Sequence, residues 1–181
     1  MRCLIALLLA MAVGGCANQP ASEPMQGRGK TPERASPNPI SEFQGEHRFL
    51  SNFWPAEIEF EGIRYPSVEH AYQAAKSLNQ EDRIRIAAMP DPAEAKRAGR
   101  ALALRPDWET AKFEVMAICV RAKFTTHPDL RAKLLATGNA ELVEGNTWGD
   151  RVWGVYEGRG ENRLGKILMR VREECRGRGA E

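Results

Sequence analysis

Tyr65-Pro-Ser-Val-Glu-His-Ala-Tyr-Gln-Ala-Ala-Lys76 places a helix start and a convergent polar face within one short run. Pro66 restricts Tyr65 to extended geometry and Ser67 is a good N-cap, so the run predicts a helix beginning at Val68. At about 100° per residue, Val68, Ala71, Tyr72, Ala75 and Leu78 form an apolar stripe. Glu69, Gln73 and Lys76 fall within about 60° of one another on an adjacent polar face, which brings a carboxylate within reach of an amide and an ammonium. The helix dipole favours an ionised Glu69, and such a carboxylate can take a proton from water or hold a cationic sugar carbon. Glutamate in a first helical turn is also common for dipole reasons alone, so the meaning of this face depends on what the rest of the chain brings to it.

Upstream of the run, Ala56 to Phe60 and Ile63 to Tyr65 alternate in polarity and are joined by Glu61-Gly62, the pattern of a hairpin with a tight turn. Before the hairpin, Phe49, Phe53 and Trp54 are interleaved with Arg48, Ser51 and Asn52. This set can stack a planar ring and hydrogen-bond its edges, or its aromatics can simply pack the core.

Downstream, Gln80 to Met89 and Pro92 to Leu104 read as two helices, the second capped by Asp91 with Pro92 at its first position. Lys96, Arg97 and Arg100 line its polar side. They are most simply a solvated face, with a phosphate contact as the alternative. Asp107 is the expected cap of a long core helix from Trp108 to about Thr126, where Trp108 either staples the helix end or walls a pocket. His127-Pro128 ends that helix, and Asp129 to Thr137 forms a shorter one closed by Gly138. In the last third, Asp150 sits in a loop rich in glycine and tryptophan between two short strands, where a carboxylate can be held at a cleft. Asn162 is expected to cap a final helix from Arg163 to about Cys175, and the loop's free N–H groups and that helix start offer a place for a phosphate. The glycine pair at 158 and 160 is read as a plain tight turn.

The chain of 181 residues, 43% of them hydrophobic, suits one domain plus an extension. A net charge of +2 from 26 basic and 24 acidic residues does not suggest a dedicated nucleic-acid or polybasic membrane surface. Residues 1–16 combine one basic residue, a short apolar run and small residues before Cys16, the pattern of a signal peptide. Val13-Gly-Gly-Cys16 resembles the lipobox of bacterial lipoproteins, which implies lipidation at Cys16 and a lipid anchor in the bacterial envelope, facing the periplasm, with outer-membrane sorting expected from Ala17. The alternative is translation from Met25, which would leave a cytoplasmic protein. Residues 17–41, with five prolines, read as a disordered linker. Cys119 and Cys175 lie in helical, partly apolar contexts and are expected to be free buried thiols. There is no CxxC, His47, His70 and His127 are scattered, and Glu69-His70 lacks HExxH spacing, so no metal site is expected.

Phe49-Leu-Ser-Asn-Phe53, Tyr65-Pro-Ser-Val-Glu-His-Ala-Tyr-Gln73 with Lys76, Trp108, Lys123-Phe124, Leu142-Val-Glu144, Asp150 with Trp153-Gly154, and Gly160-Glu-Asn-Arg-Leu-Gly165 together resemble the NADAR domain family, the YbiA-like N-glycosidases. The resemblance places that domain over residues 42–176, with 177–181 as a tail. It implies a single α+β, mostly helical domain with a few short strands, acting without a cofactor to hydrolyse N-glycosidic bonds on ribose. Substrates of the family are phosphorylated riboflavin-pathway intermediates or ADP-ribose attached to guanine in nucleic acid. The family's functional glutamate, tryptophan and acidic residue match Glu69, Trp108 and Asp150.

Cleavage of such a bond passes through an oxocarbenium-like sugar. Glu69 is then the general base for water, Asp150 holds ribose hydroxyls or the developing cation, and Trp108 or Trp54 stacks on the base. Arg48, Asn52, Lys76, Trp153 and Asn162 are the expected substrate contacts. A small ribosylated, nucleotide-like molecule is the expected partner. ADP-ribosylated DNA is possible but not favoured by the near-neutral charge, and a noncatalytic module that binds ADP-ribose or a nucleotide is the competing reading.

Overall fold

Glu61 and Gly62 both take positive φ, 48° and 76°, so the two-residue loop has the twist that joins antiparallel strands. It closes β1 (Ile58–Phe60) onto β2 (Ile63–Tyr65), with Ile58 opposite Tyr65, as the alternation predicts. The computed structural model describes residues 38–177. The leader with Cys16, Met25 and the linker up to residue 37 lie outside the described residues, as do the last four residues.

From the hairpin the chain passes through Pro66 into α1 (Val68–Ala74), whose N-cap Ser67 accepts a hydrogen bond from the His70 N–H. Every residue of α1 is buried, on its polar as well as its apolar face, because other elements cover both. The helix is shorter than its stripe implies: Leu78 lies beyond its end and is 64% exposed. α2 (Gln80–Ala87) and α3 (Pro92–Gly99) follow, the latter capped by Asp91, whose Oδ1 accepts from the Glu94 N–H at 2.8 Å. α3 stops five residues short of Leu104, and the chain after it crosses back so that the Arg105 N–H donates to the Lys76 carbonyl at 2.7 Å.

α4 (Trp108–Thr126) is the central helix, packed by α1, β1, α5 (Pro128–Ala136) and α6 (Arg163–Gly177). Val115, Met116, Cys119, Val120 and Phe124 carry it into the core. Asp107 does not cap it through its side chain, because both carboxylate oxygens are taken by the Arg105 guanidinium. Cys119 and Cys175 are free and buried, as expected.

The last third is built on short backbone pairings. β3 (Gly145–Asn146) lies parallel to β4 (Val155–Tyr156). Ile40 and Ser41, expected at the end of the linker, are instead tied to this region. The Val143 N–H donates to the Ile40 carbonyl at 2.8 Å, and the Gly145 N–H to the Ser41 carbonyl at 3.2 Å. Glycine is required at 145 because an added Cβ would lie 2.3 Å from that Ser41 oxygen. With β1–β2 and β3–β4 as its only named sheets among the described residues and helices elsewhere, the domain is α+β and mostly helical. No helix among the described residues is long and apolar enough to cross a membrane.

Candidate active site

Asn52 and Glu69 fix each other. The Glu69 backbone N–H donates to the Asn52 carbonyl at 3.0 Å, and the Asn52 Nδ2 donates to Glu69 Oε2. The other carboxylate oxygen, Oε1, accepts from Gln73 Nε2 at 2.7 Å, one helical turn on. The carboxylate is therefore 3% exposed yet gripped by two amides, a geometry that orients an acceptor without neutralising it. Burial raises the Glu69 pKa. The Gln73 amide and then the charges of Lys96, Lys76 and Arg100 pull it back.

Glu69 lies on the wall of a cavity of about 450 Å³ bounded by the loop after the 3₁₀ turn Gly45–Leu50, by α1, by α3 and by the β3–β4 loop. Tyr72 lines it from α1, with Trp153 edge-on to its ring at 5.4 Å and 83°. Phe53 and the 59% exposed Trp148 complete its aromatic surface. Lys76, Lys96, Arg100 and Arg48 supply positive charge to the same space, and among the described residues none of the four is ion-paired with a carboxylate. Burial lowers the Lys76 pKa, Glu69 opposes that, and Arg100 and Lys96 add to it. An apolar, aromatic cavity with a few convergent polar groups is the ordinary form of a small-molecule site.

Asp150 reaches the cavity from the β3–β4 loop, which Asn146 clips shut. Asn146 Nδ2 donates to the Asp150 carbonyl at 2.7 Å, and its Oδ1 accepts from the Asp150 N–H at 3.0 Å. Asp150 Oδ1 in turn accepts from the backbone N–H groups of Val152 and Trp153, both at 2.9 Å. Glu144 brings a third carboxyl group to the lining. Its Oε2 is buried without a hydrogen-bond partner, as is Gln73 Oε1.

Of the residues singled out in the sequence, Glu69, Asp150, Arg48, Asn52, Lys76 and Trp153 meet at this cavity. Trp108, Trp54 and Asn162 are not in its lining. Trp108 is buried behind Tyr72, its ring 5.1 Å away and tilted by 52°. Trp54 is half-buried against the core. Asn162 does not cap α6 through its side chain: its Oδ1 accepts from the Glu144 N–H at 3.1 Å and its Nδ2 donates to the Leu142 carbonyl at 2.8 Å. At the start of α6, two of the N–H groups expected to face a phosphate are taken. The Arg163 and Leu164 N–H groups already donate to the carbonyls of Val152 and Trp153 at 3.2 and 3.0 Å.

Lys96 and Arg100, expected mainly on a solvated face, line the cavity instead. The sequence gives their helical spacing but not which side of α3 faces α1. The role of Asn146 carries no local signal, because its partners are set by the closure of the loop. Among the described residues no group of three or more His, Cys, Asp or Glu is placed to hold a metal ion.

Comparison with known proteins is consistent with this geometry. The family model for the NADAR domain matches residues 40–176. The chain is 45% identical over 130 residues to the N-glycosidase YbiA of Escherichia coli strain K12, a match covering 69% of this chain and 79% of that one. It is 42% identical over 133 residues to an N-glycosidase of Nostoc punctiforme, covering 70% of this chain and 85% of the relative. It is also 42% identical over 131 residues to a riboflavin biosynthesis protein of Vibrio vulnificus, covering 71% of this chain but 35% of that longer one. The NMR structure of the E. coli protein YbiA superposes with a TM-score of 0.71 at 39% identity, covering 80% of this chain and 89% of that one. With the NADAR model matched over residues 40–176 and relatives at 42–45% identity, the chain belongs to the NADAR domain family.

Proposed function

We propose that this chain hydrolyses the N-glycosidic bond of a ribosylated, phosphorylated base, with Glu69 as general base. It is a hydrolase of N-glycosyl bonds, the activity in the names of its relatives from E. coli and Nostoc punctiforme. The observation that carries the role of Glu69 is its buried carboxylate, gripped by Asn52 and Gln73 on the wall of an aromatic cavity.

In the reaction, water attacks C1′ of the ribose while the C1′–N bond breaks and its electron pair leaves with the nitrogen. Glu69 takes the proton from that water. Positive charge grows on the sugar in the transition state, and Asp150, anchored by two backbone N–H groups, stabilises it from the β3–β4 loop. Tyr72, Trp153, Phe53 and Trp148 are placed to stack on the base, in place of Trp54 and Trp108. Trp108 supports Tyr72 from behind. Lys76, Lys96, Arg100 and Arg48 suit a phosphorylated substrate.

A riboflavin-pathway ribosylamino phosphate is the proposed substrate class, in keeping with the name of the Vibrio vulnificus relative. ADP-ribose linked to guanine is the second. The test is base release by the purified protein from a panel of ribosylamino-pyrimidine phosphates, NAD, ADP-ribose and guanine-linked ADP-ribose. Glu69→Gln is expected to lower turnover of the accepted substrate by about 10²-fold or more while the protein stays folded. A ligand that binds tightly and is recovered intact after long incubation would instead make the domain a binding module. Anchoring through a lipid on Cys16 is proposed from the leader alone. Palmitate labelling of the full chain that is abolished by Cys16→Ser checks it.

A further inference from the structure

Three carboxyl groups line the cavity, and their surroundings differ in one respect: the donors they receive. Glu69 accepts from two side-chain amides, and Asp150 accepts from two backbone N–H groups. Glu144 receives none, and its Oε2 is buried without a partner. A buried carboxylate ion without donors is costly, whereas the protonated group carries its own donor and needs only an acceptor.

The charges facing Glu144 act in both directions. Asp150 from the β3–β4 loop and Glu69 from α1 oppose its ionisation, and Lys96 from α3 favours it. Neutral Asn162, just before α6, accepts from its backbone N–H. Burial is the largest influence, and the Glu144 carboxyl is pushed up to about 8. Its backbone is fixed on both sides, since its carbonyl also accepts from the Val155 N–H at 2.9 Å. With its backbone so held, the residue lines the cavity, and its buried Oε2 has no hydrogen-bond partner among the described residues.

An N-glycosidic bond needs an acid as well as a base, because an amine is a poor leaving group until its nitrogen is protonated. We propose that Glu144 is the general acid of the reaction, donating the proton of its carboxyl group to the departing nitrogen. The assignment rests on the N-glycosidase reading above and adds a second catalytic residue to it. The C1′–N bond breaks with its electron pair going to nitrogen, and nitrogen takes the Glu144 proton. Water adds to C1′ and gives its proton to Glu69. Glu144 ends as a carboxylate and Glu69 as an acid, and exchange with solvent restores both. Burial raises both carboxyl groups, but only Glu69 receives amide donors that favour its ionised form, so the donor sets assign the base to Glu69 and the acid to Glu144.

The experiment is the pH profile of kcat/KM for the full chain and its Glu144→Gln variant on a ribosylamino-pyrimidine phosphate. Wild type is expected to lose activity as pH rises through about 8, where the acid deprotonates. Glu144→Gln is expected to fall by about 10²-fold or more and to lose that basic limb. A variant within about threefold of wild type, or one that keeps the basic limb, overturns the assignment. Carbon-13 NMR titration of the glutamate carboxyl groups in wild type needs no folded variant. A carboxyl titrating near 8 and assigned to Glu144 through its backbone connectivity supports the proposal, and titration of that carboxyl in the ordinary carboxylate range overturns it. A wild-type chain that releases no base from any member of the panel overturns the N-glycosidase reading itself, and the general-acid role with it.

Discussion

Asn52 contributes a carbonyl that seats the first turn of α1 and an amide that holds Oε2 of Glu69. Replacing it with leucine keeps the backbone contact and removes the amide donor. The ionised form of Glu69 then loses a stabilising hydrogen bond, so its pKa, already raised by burial, rises further. A general base works only when deprotonated, so the acidic limb of the kcat/KM profile of Asn52→Leu should move to higher pH than in wild type. An unchanged limb would mean that the amide does not tune Glu69. At this scale the sequence was informative where partners are local. Glu69, Gln73 and Lys76 share a face because 3.6-residue periodicity puts them there. Glu144 carried no such signal: it is an acidic residue in a motif with no neighbour to mark it, and its unpartnered oxygen exists only because the β3–β4 loop, α1 and α6 close around it.

α1 and α3 meet more closely than ordinary side chains allow. A Cβ added to Gly99 would lie 2.0 Å from Gln73 Oε1 and 2.8 Å from its Cδ, so the helices approach through a glycine. Gln73 is the residue that donates to Glu69 Oε1, which links the packing of two helices to the geometry of one carboxylate. Gly99→Ala should therefore act twice. Overpacking should cost about 1–3 kcal/mol of stability, read as a lower denaturation midpoint. The displaced amide should also lower kcat/KM while the protein remains folded. An alanine variant with normal activity would show that α3 can shift without moving Gln73. The helices themselves were legible, because Ser67 and Asp91 cap α1 and α3 through local hydrogen bonds. Their C-terminal ends were not: α3 stops at Gly99 and the returning chain is drawn to the Lys76 carbonyl, a tertiary contact that overrides the apolar run to Leu104.

In the molecule as a whole, the loop that carries Asn52 is fastened to the central helix by one side chain. Lys123, 1% exposed on α4, donates from Nζ to the carbonyls of Phe49 and Ser51 at 2.6 and 2.9 Å. A lysine in a helix whose neighbours are apolar reads from sequence as one more position at the edge of a core stripe. Its partners lie more than 70 residues away, so only the closed fold reveals them. Burial, with Arg48 adding repulsion, pushes the ammonium down to about 7, against an ordinary 10.5. Between these values the unfolded chain binds more protons at this site than the folded one, so stability rises with pH across that window. Cys119 and Tyr65 act in the opposite sense at higher pH, because burial raises both and the unfolded chain ionises first. The lysine contribution is thus best isolated by difference. Lys123→Met should cost about 1–3 kcal/mol through its two orphaned carbonyls. The stability of wild type relative to that variant should then grow by about 2 kcal/mol between about pH 6.5 and about pH 8.5, measured by urea denaturation. A gap that stays constant over this range would mean that Lys123 remains charged in the folded protein, and that the two carbonyls and nearby water solvate a buried ammonium well enough to offset its burial.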